Sequence, residues 1–128
     1  MSYYVSKILP RGFDEVVVAT TDALKQHGFG IITEIDVKQT FKAKLGIDFR
    51  NYRILGACNP SMAHEALGLE DKIGTMLPCN VVVQELDGGH TEVAAIDPVA
   101  SMQAVDNPRL KEKAAEVGAA LRRAVEAL

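Results

Sequence analysis

Asn80-Val81-Val82-Val83-Gln84-Glu85-Leu86-Asp87-Gly88-Gly89-His90-Thr91-Glu92-Val93-Ala94-Ala95-Ile96 decides the fold. From Pro78 to Leu86 the run Val81-Val82-Val83 is apolar toward both sides, as in a strand in the middle of a sheet. Asp87-Gly88-Gly89 is the sharpest turn signal in the chain, since glycine takes the positive φ that tight hairpin loops need. His90 to Ile96 is the returning arm. A hairpin breaks the regular strand–helix alternation of a parallel α/β fold and points to helices laid on one face of a mixed sheet.

Upstream, Tyr3 to Leu9 has strand composition and is stopped by Pro10-Arg11-Gly12. Phe13, Val16, Val17 and Leu24 fall at helical spacing, with Thr20 the polar member of the stripe, so a helix is expected from Phe13 to His27 with Gly28 closing it. Gly30 to Val37 alternates as a strand. Lys38 to Leu45 fits two helical turns or a β extension and is taken as a connection. Tyr52 to Cys58 is the next strand, and at Gly56-Ala57 the missing bulk lets another part of the chain pack closely. Asn59-Pro60 combines a preferred N-cap with a favoured first helical residue, which starts a helix to about Leu69 with Ala63, Ala66 and Leu67 inward. The device recurs at Asn107-Pro108, where Leu110, Ala114, Val117, Leu121, Val125 and Leu128 mark a long helix to the C-terminus. Between them, Asp97-Pro98 reads as a break followed by a linker. The order is β-α-β-β-α-β-β-α, an α+β chain expected to form one domain over residues 1–128.

The chain has 128 residues, 48% of them hydrophobic and 24% charged, which is ordinary for a globular domain and excludes disordered and fibrous classes. Its net charge of −3 gives no global field for a polyanion, so nucleic acid is not an expected partner. Lys38, Lys42, Lys44, Arg50 and Arg53 form a local basic excess, read as a solvated face. No apolar run has the ~20 residues of a membrane helix, and the N-terminus lacks a secretory signal pattern. Two cysteines without framework spacing fit a reducing compartment, and a cytoplasmic location is expected.

Cys58 and Cys79 are the leading candidates for chemistry, although they are separated by twenty residues rather than the two of a zinc or dithiol motif. If their strands are parallel they lie at opposite ends of the sheet; if antiparallel, together. His64, one turn beyond Pro60, is the histidine best placed to reach Cys58. Asp97, at the end of the last strand, is a candidate carboxylate and equally a turn former. No phosphate-binding glycine loop and no serine elbow is present, and no complete catalytic set emerges.

The block Tyr52-Arg53-Ile54-Leu55-Gly56-Ala57-Cys58-Asn59-Pro60 with Ala63, Ala66 and Leu67 resembles the family called domain of unknown function 302. Ile73-Gly74-Thr75-Met76-Leu77-Pro78-Cys79-Asn80-Val81-Val82-Val83 with Glu85, then Asp97-Pro98 before Met102, resembles the rest of its pattern. The resemblance implies a two-layer α/β sandwich of the same element order. It implies no reaction and no catalytic residues.

The expectation is therefore a non-enzymatic module binding a small ligand or a partner, at a mouth formed by Cys58, Asn59, Cys79, Asn80 and Asp97. The competing expectation is a thiol-based metal, haem or redox protein using Cys58 and Cys79 with His64 or Met62, since thiolate and thioether suit soft ions such as Cu(I). The cofactor, if any, is unknown. Helices on one sheet face leave the other uncovered; Val81-Val82-Val83 presents apolar residues to both faces, and Ala94 and Ile96 oppose Val93 and Ala95 in the same way, so the uncovered face is expected to be apolar and a homodimer is expected.

Overall fold

The computed structural model describes residues 2–128. Five strands, β1 (Tyr4–Leu9), β2 (Gly30–Asp36), β3 (Tyr52–Cys58), β4 (Cys79–Glu85) and β5 (Thr91–Ile96), form one sheet in the order β1-β5-β4-β3-β2. Helix α1 (Phe13–Gln26) joins the two edge strands, and it packs beside α5 (Pro108–Glu126) across one face. The expected strands and helices all appear in their expected order, with two short helices added between them and a correction in strand direction: the sheet is not mixed, because all four pairings are antiparallel. The long connections on either side of β3 return the chain to the neighbouring strand instead of crossing over it.

Alternation within the strands builds the core. Leu55, Val81 and Ala95 share one cross-strand row, Val83 and Val93 the next, and all are buried beneath α1 and α5. The α1 stripe Phe13, Val16, Thr20 and Leu24 is buried as its spacing predicts. Thr20 Oγ1 has no hydrogen-bond partner, and the gap it borders with Leu24, Val81 and Val125 has no room for water. The α5 stripe contributes Leu110, Ala114, Leu121 and Val125. Lys7 Nζ donates to the carbonyls of Glu126 and Leu128, placing a cation at the negative end of α5.

Three further sequence expectations are corrected. Lys38 to Leu45, taken as a connection, together with Val37, expected to end the strand, form helix α2 (Val37–Leu45): Asp36 Oδ1 accepts from Gln39 N at 2.9 Å, and Gly46 ends the helix at φ 66°. None of its residues is buried, so no stripe marks it in the sequence. The segment after Asp97 is not all linker, since Pro98–Ser101 forms a one-turn helix, α4, capped by Asp97. In helix α3 (Pro60–Leu69) Ala66 is buried but Leu67 is 42% exposed, because it lies over Gly74 in the 3-10 turn Asp71–Met76 instead of entering the core. The basic stretch is partly neutralised: Arg53 meets Glu34 at 3.0 Å and Asp36 at 3.8 Å, and Lys42 meets Asp48 at 3.2 Å.

Candidate functional site

Antiparallel pairing decides where the thiols lie. Ala57 opposes Cys79 in the β3–β4 register, so Cys58, one residue further along β3, ends at the same sheet margin. Asn59 Oδ1 accepts from Met62 N at 3.1 Å and turns the chain into α3. After the 3-10 turn the chain re-enters the sheet through a cis Leu77–Pro78 peptide. One face of α5 and the short α4 close the far side. Between these walls is a cavity of about 200 Å³.

Small residues make the space: Ala57 from β3, Ala63 and Ala66 from α3, and Ala114 from α5 line it where larger side chains would fill it. Sulfur lines it as well, from Cys58, Cys79, Met62 and Met102. The polar side chains at its boundary are Asn59, whose carbonyl oxygen is engaged in the cap, and Lys113. Lys113 Nζ lies 2.7 Å from Glu65 and 2.9 Å from Glu116, which ties α5 to α3 beside the cavity. Its hydrogen bond and charge hold the Glu65 carboxyl below the usual carboxylate range, and the two carboxylates hold Lys113 above its ordinary value. Its charge is already matched, so an anionic ligand gains little there.

Cys79 is 6% exposed, and burial, followed by the nearby Cys58, pushes its thiol up from 9.0 to about 11. At neutral pH it is a protonated, weakly nucleophilic thiol. The folded state favours the protonated form. Its contribution is therefore complete below about pH 9 and lost as pH rises towards 11. Two pKa steps correspond to about 3 kcal/mol. Urea unfolding should show wild type losing about 2–3 kcal/mol relative to Cys79→Ala over that window; parallel pH curves would show that burial does not perturb this thiol.

The residues singled out from sequence separate. Cys58, Asn59 and Cys79 come together at the cavity. Asn80 is exposed and faces away, because successive strand residues point to opposite faces and Cys79 points in. Asp97 accepts from Val99 N at 3.0 Å as the cap of α4, and it borders a separate shallow groove with Val5, Ile96 and Arg122. His64 is exposed and does not line the cavity, whereas Met62 does. Sequence reasoning missed Met102 and Lys113; their nearest signal is the α5 stripe, whose small Ala114 leaves room between larger neighbours. Among the described residues no group of three or more His, Cys, Asp or Glu side chains is placed to hold a metal ion. None of the described helices is long and apolar enough to cross a membrane.

A family model, Domain of unknown function DUF302, matches residues 5–128. The crystal structure of an uncharacterized conserved protein DUF302 from Bacillus stearothermophilus superimposes with a TM-score of 0.91 at 28% sequence identity, covering 98% of each chain. No curated protein matches.

Proposed function

The chain belongs to the family Domain of unknown function DUF302, and within it we propose a non-enzymatic module that binds a small, neutral, largely apolar molecule between the sheet margin, α3 and α5. The observation that carries this reading is the cavity of about 200 Å³ with apolar and sulfur walls, Phe29 among them, and with its lining cation, Lys113, paired to carboxylates. An apolar cavity of about 150 Å³ already accepts benzene, so a one- or two-ring compound is the right scale. A protonated Cys79 supports binding over thiolate catalysis. Two free thiols support a cytoplasmic setting. We also propose that the chain works as a homodimer, through the sheet face away from the cavity.

Naphthalene and indole are the probes. Calorimetry should show saturable binding of one of them to the wild type. Ala63→Phe, which fills the space from α3, should abolish it while circular dichroism stays unchanged. Undiminished binding by the folded variant, or no saturable binding by the wild type, would reject the cavity as the site. A second reading rests on the four sulfur side chains around the same space: Cys58, Cys79, Met62 and Met102 offer the soft donors that Cu(I) prefers. Anaerobic Cu(I) titration separates the two, since one tightly bound ion lost in Cys58→Ser would favour the metal reading.

A further inference from the structure

The sheet face opposite the helices is self-complementary, and we infer that it pairs face to face with a second copy of this chain about a two-fold axis running along β4. The centre of that face is the registered row Ile35, Ile54, Val82, Ala94 and Ser6, read from β2 across to β1. Ile35 is 49% exposed, Val82, Ile54 and Ala94 are half-buried, and Ser6 is exposed. Helices α1 and α5 pack on the other face, and α2 contacts β3. Beside this row runs the next one, Tyr52, Gln84, Glu92 and Ile8, polar only at its centre: Arg50, stacked over the Phe49 ring, donates from Nε to Gln84 Oε1 at 3.0 Å, and Gln84 Nε2 donates to Glu92 Oε1 at 2.9 Å.

β4 is the third of five strands, so rotation about it keeps each strand end in place and exchanges the two sides. β3 then faces the partner's β5, and β2 faces the partner's β1. In the central row Val82 lies against its own copy, and on either side of it large meets small: Ile54 against the partner's Ala94, and Ile35 against the partner's Ser6. The same rotation brings Arg50 opposite the partner's Glu92, twice. Within the chain these two charges are joined through the neutral Gln84 amide, and among the described residues neither has an ion pair of its own. Strands about 4.8 Å apart and six or seven residues long give a face of roughly 500 Å² in projection. Side-chain relief brings that near the roughly 800 Å² per partner of a stable interface. Sheets packed this way sit about 10 Å apart with strands inclined by about 30°, the axis bisecting the two β4 directions. The pairing leaves the cavity open, so it stands or falls independently of the ligand reading.

Charge exchange tests the axis as well as the dimer. Wild type should sediment as a dimer at micromolar concentration. Arg50→Glu places four acidic groups at the interface and Glu92→Arg four basic ones, and each should raise the dimer dissociation constant by at least about tenfold. An equimolar mixture of the two variants restores both opposite-charge contacts and should recover a heterodimer at near wild-type affinity. A monomeric wild type at about 100 µM, dimer constants unmoved in both variants, or a mixture of folded variants that stays monomeric would each overturn the proposal.

Discussion

Leu121→Ala is expected to lower the unfolding free energy by about 2–5 kcal/mol, the usual cost of truncating a buried leucine and leaving the space behind. Leu121 is fully buried on α5, in the same cluster as Val16 and Leu24 of α1 and Val81 of β4. Both helices lie on the same sheet face and against each other, so its side chain sits where three elements meet and none can collapse without losing its own contacts. A domain of this size has only about 5–15 kcal/mol in all. The loss should therefore be visible as a large shift in the urea midpoint with little change in slope. Arg122→Ala, next in sequence and exposed at the rim of the groove it shares with Val5 and Asp97, should move stability by no more than about 0.5 kcal/mol. A Leu121→Ala effect as small as that control would mean that α5 does not seal the core.

Elements with a buried stripe or a strong cap were legible in the sequence. Asn59-Pro60 and Asn107-Pro108 open α3 and α5, with Asn side chains accepting from Met62 N and Leu110 N at 3.1 and 3.2 Å. Asp97-Pro98 is the same device and opens α4, yet it reads as a break because the helix is one turn long and shows no periodicity. Helix α2 has both end signals, Asp36 and Gly46, but buries nothing, and without an apolar stripe the capping residues go unrecognised. Strand direction was unreadable for another reason: a connection of twenty residues between Cys58 and Cys79 is long enough for either a crossover or a return. That direction alone decides whether the thiols meet.

The site was half legible. Cys58, Asn59 and Cys79 stand out by residue type and end up together. Asn80 and Asp97 stand out equally and do not join them, since strand alternation sends one to the opposite face and helix capping occupies the other. Sequence cannot announce a cavity made by alanines on three different elements, because missing volume has no motif. The apolar character of the uncovered sheet face was legible from Val82 and Ala94. Which residues share its central row depends on register, which only the sheet supplies.

Gly56→Ala should destabilise the protein by about 1–3 kcal/mol, the range for forcing atoms into a closed space. Backbone propensity argues the other way, because alanine in place of glycine inside a strand ordinarily gains about 0.5–1 kcal/mol, so the sign tests sterics directly. A Cβ at Gly56 would lie 2.7 Å from Pro78 Cγ and 3.3 Å from Thr33 Cβ, and nearer still to Thr33 Oγ1. Thr33 opposes Gly56 at the bulge between Ile31 and Thr33, so β2 leans over β3 at this point, and Pro78 closes in from the β4 side. Thr33→Ala removes the nearest atom and leaves Pro78, so the double variant should recover part of the loss and not all of it. A coupling of about 1 kcal/mol between the two changes is the expected size for residues in contact. Gly56→Val adds two methyl groups to the same space and should exceed the Gly56→Ala loss. Pro78 also lines the cavity, so folded Gly56→Ala should bind naphthalene or indole more weakly than wild type. Urea unfolding of both single variants and the double checks the core of the claim: a Gly56→Ala protein as stable as wild type would show that the close approach of Thr33 and Pro78 does not constrain this position.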